Sequence, residues 1–267
     1  MNLKRIWTAV VGLPIIIAIM VFGNVYLIDI LFAFIAWLSL HEYYKCFNGK
    51  LKPVKWIGYV ACFLISIIHL IPKEYAVMTI GVLLPTSIVM LFTVSIITNM
   101  KYNITDLAIT FMGICYIPLF LMYIPMLLGE ENGKILVWYV IIWAWATDIF
   151  AYCIGKRIGK HKFSKISPNK SIEGCIGGTI GAIICTIIYT IIINIFFKLN
   201  INIFAITGIS IILSLIGQIG DFAASSIKRH VGIKDFSNLL PGHGGMLDRI
   251  DSLLFLAPFA YAMFTLL

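Results

Sequence analysis

The chain is short of charge. Only 12% of its 267 residues are Asp, Glu, Lys or Arg, while 61% are hydrophobic; soluble domains carry about 25% charged residues. So few polar groups cannot cover a surface facing water, which excludes a free-standing soluble domain and makes lipid part of the solvent. Several signatures are also missing. Cys46, Cys62, Cys115, Cys153, Cys175 and Cys185 form no CxxC pair and no Cys/His zinc spacing. They sit in or beside apolar segments and read as small buried apolar residues. His41, His69, His161 and His230 show no paired spacing either. There is no GxxxxGK[ST] loop and no GxSxG or Ser/His/Asp pattern, so neither a Walker-type nucleotide site nor a serine hydrolase is indicated. No internal repeat, low-complexity linker or nucleic-acid motif accompanies the net charge of +8.

What is present is a series of apolar runs, such as Ile135–Ile154 and Ile176–Phe197. About 20 apolar residues cross a hydrocarbon core about 30 Å thick. The runs are continuous rather than alternating, which predicts helices and not barrel strands. The sequence therefore predicts an all-α polytopic transmembrane protein with about nine spans, near 6–22, 25–41, 56–71, 75–98, 107–128, 135–154, 174–197, 202–225 and 252–267. Met1 to Val21 has the look of a signal peptide but no small-residue cleavage site, and is read as a retained first helix. With the N-terminus cytoplasmic, 17 of the 20 Lys and Arg residues fall on the cytoplasmic side and only Lys73, Lys134 and Lys198 outside. The positive-inside rule explains such a bias, and with it the net charge. The two largest hydrophilic segments, 155–173 and 226–251, then face the cytoplasm. The chain divides into N-terminal transmembrane helices, 1–134, and a C-terminal transmembrane region, 135–267, which carries nearly all the candidate chemistry.

Four constellations stand out. Asp148 lies in a span, eight residues before Lys156 and so about 12 Å deep; a carboxylate there costs roughly 2.5–3.5 kcal/mol on insertion scales and is a functional candidate. The segment from Gly155 to Gly174 carries Lys156, Lys160, Ser167 and Lys170 among six cations, hydroxyls and glycines. It suits phosphate, and equally the contact of a basic loop with anionic lipid. Ser167 to Ser171 reads as a turn into the next helix, whose N-terminus favours an anion. Asp221, Ser225 and Lys228 fall at i, i+4 and i+7 on one helical face, beside Ser226 and Arg229. A carboxylate, a hydroxyl and a cation aligned in this way suit metal-bound phosphate better than lipid. Finally, Pro241-Gly242-His243-Gly244-Gly245 is a tight, backbone-exposing turn ahead of Asp248, Arg249 and Asp251. Asp248 and Asp251 share a helical face, and Asp221 with Asp248 suits Mg²⁺, which takes one or two carboxylates plus substrate phosphate. The role of His243, as general base, phosphate donor or structural partner, is left open by a lone His in a Gly-rich loop.

These residues resemble a known family. Ser226-Ile-Lys228-Arg229, then Lys234-Asp235, then Leu240 through Asp251 is similar to the signature of the phosphatidate cytidylyltransferases, or CDP-diacylglycerol synthases. Asp148 to Tyr152, Gly159 to Lys162, Ser167 to Lys170 and Gln218 to Asp221 resemble the family as well. Recognisable likeness covers about residues 143–260. Ala224 stands where many members carry an acidic residue, and Asn169 and Ile172 also depart from the familiar wording.

The resemblance implies transfer of the cytidylyl group of CTP to phosphatidic acid, giving CDP-diacylglycerol and pyrophosphate for phospholipid biosynthesis. It also implies Mg²⁺ with a possible second cation, and a homodimer. Carried onto these positions, Asp221 and Asp248 hold the metal with Asp251 in support, and Lys228, Arg229 and Arg249 neutralise phosphate charge. His243 joins the catalytic set, while Asp148, Lys156, Lys160, Ser167, Lys170, Ser225, Ser226, Gly244 and Gly245 line the substrates. A bacterial plasma membrane with a cytoplasmic active site is expected, and no nucleic acid. The competing readings are a CTP-dependent transferase acting on an ether-lipid or isoprenoid phosphate, an anion transporter, and a non-catalytic lipid-binding scaffold.

Overall fold

A computed structural model describes residues 14–266 apart from 165, 166, 169, 241 and 243. Among the described residues the chain is helical, with no named strand and two isolated bridges, Lys162 to Ser171 and Leu240 to Gly244. Residues 14–22 are helical. After them come α1 (Val25–Cys46), α2 (Lys55–Ser66), α3 (Lys73–Ile97), α4 (Ile104–Ile114), α5 (Tyr123–Leu128), α6 (Gly133–Ile158), α7 (Ile172–Phe197), α8 (Ile203–Val231) and α9 (Leu247–Leu266).

Seven described stretches are long and apolar enough to cross a membrane: α1, Tyr75–Ile97 of α3, Ile104–Leu128, α6, α7, α8 and α9. Of the expected span at 6–22, residues 14–22 are helical and 6–13 lie outside the described residues. The expected span at 56–71 takes a different form, a 12-residue helix followed by a turn of 3-10 helix, Ile68–Leu70. Its end has a local cause. The Ser66 hydroxyl donates to the Cys62 carbonyl (2.8 Å), the chain tightens, and Ile71 is extended because it precedes Pro72. Ile104–Leu128 is interrupted by π-helix at Cys115–Leu119, where Pro118 removes a backbone donor.

The chain forms two compact units, Met1–Glu131 with Val231–Ile250, and Asn132–His230 with Asp251–Leu267. In the first, Val54, Ile57, Ala61, Ile65 and Ile68 pack with Leu91, Leu107, Ile114 and Met122. Polar ties fix the connections. Asn103 and Asp106 cap α4 reciprocally. Asp106 also accepts the Lys52 amide (2.6 Å), and Thr110 accepts that of Val54 (2.8 Å).

In the second unit, α7 has two faces of opposite character. Ile176, Ile180, Ile184, Ile188 and Ile195 are exposed, as suits lipid. Gly174, Gly177, Gly178 and Gly181 are buried against α6. Small residues let two spanning helices approach closely, where dispersion and backbone contact hold them. A Cβ at Gly178 would lie 2.7 Å from the Thr147 carbonyl oxygen, which is backbone and cannot swing away. Gly178→Ala is therefore expected to destabilise the protein by about 1–3 kcal/mol, read as a lower melting temperature in detergent; an unchanged melting curve would show that α6 and α7 slide apart freely. The Trp143 indole donates to Ser210 (2.7 Å), tying α6 to α8, and Gln218 reaches Cys175 O (3.3 Å) and Thr179 (3.1 Å), tying α8 to α7.

Candidate functional site

The second unit gathers much of the polar chemistry expected of it. The loop after α6 turns back on itself. The Phe163 amide donates to Lys170 O (3.1 Å), that of Ile172 to His161 O (2.9 Å) and that of Lys170 to Ser167 O (3.1 Å). Glu173 in the first turn of α7 accepts the His161 amide (3.2 Å) and its ring Nδ1 (2.6 Å). Ser171 caps α7 by accepting the Gly174 amide (3.1 Å). Phe163 stacks on Phe222 of α8, with centroids 4.6 Å apart.

This folding delivers Lys170 to α8. Its ammonium forms an ion pair with Asp221 and lies 4.5 Å above the Phe222 ring. Burial pushes the Lys170 ammonium below its ordinary pKa; Asp148 and Asp251 oppose that shift, and Lys228 adds to it. Lys170 is therefore the centre of a set of three carboxylates and two ammonium groups drawn from α6, α8, α9 and the loop. The face read from the spacing in α8 is also the packed one. Ser225 and Lys228 are buried and Asp221 is partly so, while Ser226 and Arg229 are exposed. Lys156 and Lys160 are exposed as well, and Lys156 lies 5.8 Å over the ring of Tyr152 on its own helix.

The first unit holds the other part of the signature. His243 lies outside the described residues. Gly244 has φ +84°, a left-handed conformation that a side chain would strain, and its carbonyl accepts the Leu240 amide (2.9 Å), closing the turn. Asp248 is buried at the start of α9. Its Oδ2 accepts from the amides of Gly245 (2.9 Å) and Phe236 (2.8 Å), so one carboxylate ties the two ends of the loop. Arg249 is exposed. Asp251 is buried three residues further along the helix.

Sequence reasoning passed over Glu42. It is buried near the end of α1 and accepts from the Ser237 hydroxyl (2.6 Å) and from the amides of Met246 (2.9 Å) and Leu247 (2.8 Å). The signal for it was a carboxylate at the edge of an apolar run. The span expected at 25–41 stops one residue short of Glu42, which entered none of the candidate constellations.

Among the described residues no three His, Cys, Asp or Glu side chains converge as a ready-made metal cage. Carboxylate oxygens such as those of Asp148, Asp221 and Asp251 are the ligand type that Mg²⁺ takes together with phosphate and water.

A model of the cytidylyltransferase family matches residues 3–267, and the chain belongs to that family. Curated relatives make the comparison more specific. Proteins named phosphatidate cytidylyltransferase from Staphylococcus haemolyticus, Staphylococcus epidermidis and Staphylococcus aureus strain COL are each 34% identical to this chain, over 258, 260 and 259 residues, covering 95% of it and 95% of their own length.

Proposed function

We propose that this protein transfers the cytidylyl group of CTP to phosphatidic acid, forming CDP-diacylglycerol and releasing pyrophosphate. The observation that carries the reading is the Lys170 centre on the packed face of α8, in a chain that belongs to the family over nearly its whole length. A phosphate oxygen of phosphatidic acid attacks the α-phosphorus of CTP; the bond from that phosphorus to the β-phosphate oxygen breaks, and pyrophosphate leaves in line. The nucleophile is anionic near neutral pH and needs no strong base. Positioning and charge stabilisation carry most of the rate. Lys170 and Lys228, with Arg229 and Arg249, offer cationic donors to phosphate oxygens, and Ser225 and Ser167 orient them. Asp221, Asp248 and Asp251 are the residues that would hold Mg²⁺, which supplies charge neutralisation on the polyphosphate.

The chain crosses the membrane nine times, with its N-terminus and the signature loop in the cytoplasm. Support comes from charge. The nine-span arrangement puts 17 of 20 basic residues on one side, whereas dropping α2 as a crossing sends the six cations between Lys156 and Lys170 to the side opposite Lys45, Lys50, Lys52 and Lys55. CTP then arrives from water and the acceptor from the same leaflet. Two copies associate as a homodimer.

The test is direct. Purified protein in detergent, given phosphatidic acid and labelled CTP, is expected to form CDP-diacylglycerol with Mg²⁺ and to stop with EDTA. Product only from polyprenyl or ether-lipid phosphate would move the acceptor. Folded protein with no CTP binding would overturn the reading.

A further inference from the structure

Glu42 and the signature loop are about 200 residues apart in sequence, yet three hydrogen bonds join them. Two of the donors, the amides of Met246 and Leu247, stand where α9 begins. Helix-entry amides lack an intrahelical acceptor, and a carboxylate there matches the positive end of the helix dipole. Glu42 therefore caps α9 from another helix. The contact is close: a Cβ at Gly245 would lie 2.7 Å from Glu42 Cδ and 2.8 Å from its Oε1. With both oxygens engaged by protein donors, Glu42 works through the loop and not on a substrate.

We infer that Glu42 is a positioning residue for cytidylyl transfer, holding Ser237, Met246 and Leu247 from α1 so that α9 presents Asp248 and Arg249 in a fixed place. This rests on the function proposed above. Asp248 ties the loop from within through Phe236 and Gly245, and Glu42 supplies the tie from outside. Groups that orient the residues doing the chemistry typically matter by about 10–100-fold.

The experiment uses the full-length protein with Glu42→Gln and Ser237→Ala. Glutamine keeps the length but turns one acceptor into a donor that faces an amide. The expected result for Glu42→Gln is a kcat lower by about 10–100-fold, with KM for CTP changed less than about threefold, because a misplaced reacting group costs transition-state stabilisation more than ground-state binding. Trypsin cleavage after Lys234 or Arg249, both exposed, is expected to accelerate as the loop opens. Ser237→Ala removes one donor and leaves both amides bound. It should show the same direction with a smaller loss, and it keeps the inference testable if Glu42→Gln does not fold. A purely structural role would reduce the yield of folded protein while leaving kcat per CTP-binding molecule at the wild-type value. That result, or unchanged trypsin cleavage, overturns the inference. Wild-type protein that makes no CDP-lipid would instead overturn the proposed function and this role with it.

Discussion

Asp221→Asn is expected to lower CDP-diacylglycerol formation by about 100-fold or more while the protein still folds. Asparagine has the shape of aspartate, so packing along α8 is kept. The charge is not. Asp148, Asp221 and Asp251 stand against Lys170 and Lys228 in this set. Removing one carboxylate cancels its net negative charge, weakens its hold on any cation and leaves Lys170 without its ion-pair partner. Preorganised charge of this kind is commonly worth 10²–10³ in rate. The check is a radiolabelled CTP assay beside a melting curve. A near-normal rate in folded Asp221→Asn would remove Asp221 from the mechanism, and an unfolded variant would make it a structural residue.

Gly245→Ala is expected to cost about as much by a different route. The new methyl would meet the Glu42 carboxylate. A flexible side chain would ordinarily swing aside, but this one accepts three hydrogen bonds and moves only by giving them up. Relief is also limited on the glycine side, whose own amide is bonded to Asp248 (2.9 Å). Overpacking typically costs about 1–3 kcal/mol, here spent on the segment that carries Asp248. Glu42→Asp shortens the opposing side chain by one methylene. If the clash is the cause, combining it with Gly245→Ala should lose less than the product of the two single losses. Strict multiplicativity would show that Gly245 is required for another reason, such as close approach of a phosphate.

Much of this was legible from residue order. Continuous apolar runs gave the long helices, and Asp221, Ser225 and Lys228 at helical spacing lie toward the packed face of α8. Helical period and lipid solubility act locally, so spacing carries them. What spacing does not carry is the partner of a loop. Gly244 and Gly245 read as a turn and Asp248 as a metal-holding carboxylate, but nothing in their neighbourhood named Glu42, which belongs to a helix far earlier in the chain. The length of α2 was misjudged for a related reason. Hydropathy stays high through Ile71, while the helix stops at Ser66 because a side-chain hydroxyl and a following proline govern the backbone. Lys156 and Lys160 looked equivalent to Lys170 in a basic loop; only the reversal of that loop, set by Glu173, Ser171 and the Phe163–Phe222 stack, separates them.

The reach of the Glu42 contact also sets an order of events during synthesis. Its partner Ser237 is translated 195 residues later. At roughly 5–20 residues per second, that is a delay of roughly 10–40 s. For that interval α1 has entered the membrane with a carboxylate whose eventual donors do not yet exist. Until those donors arrive, a carboxyl group there needs water or a bound proton to offset the cost of burial. Closure of the signature loop over Glu42 is then a late step of assembly, because Ser237, Met246 and Leu247 are made about 200 residues after it.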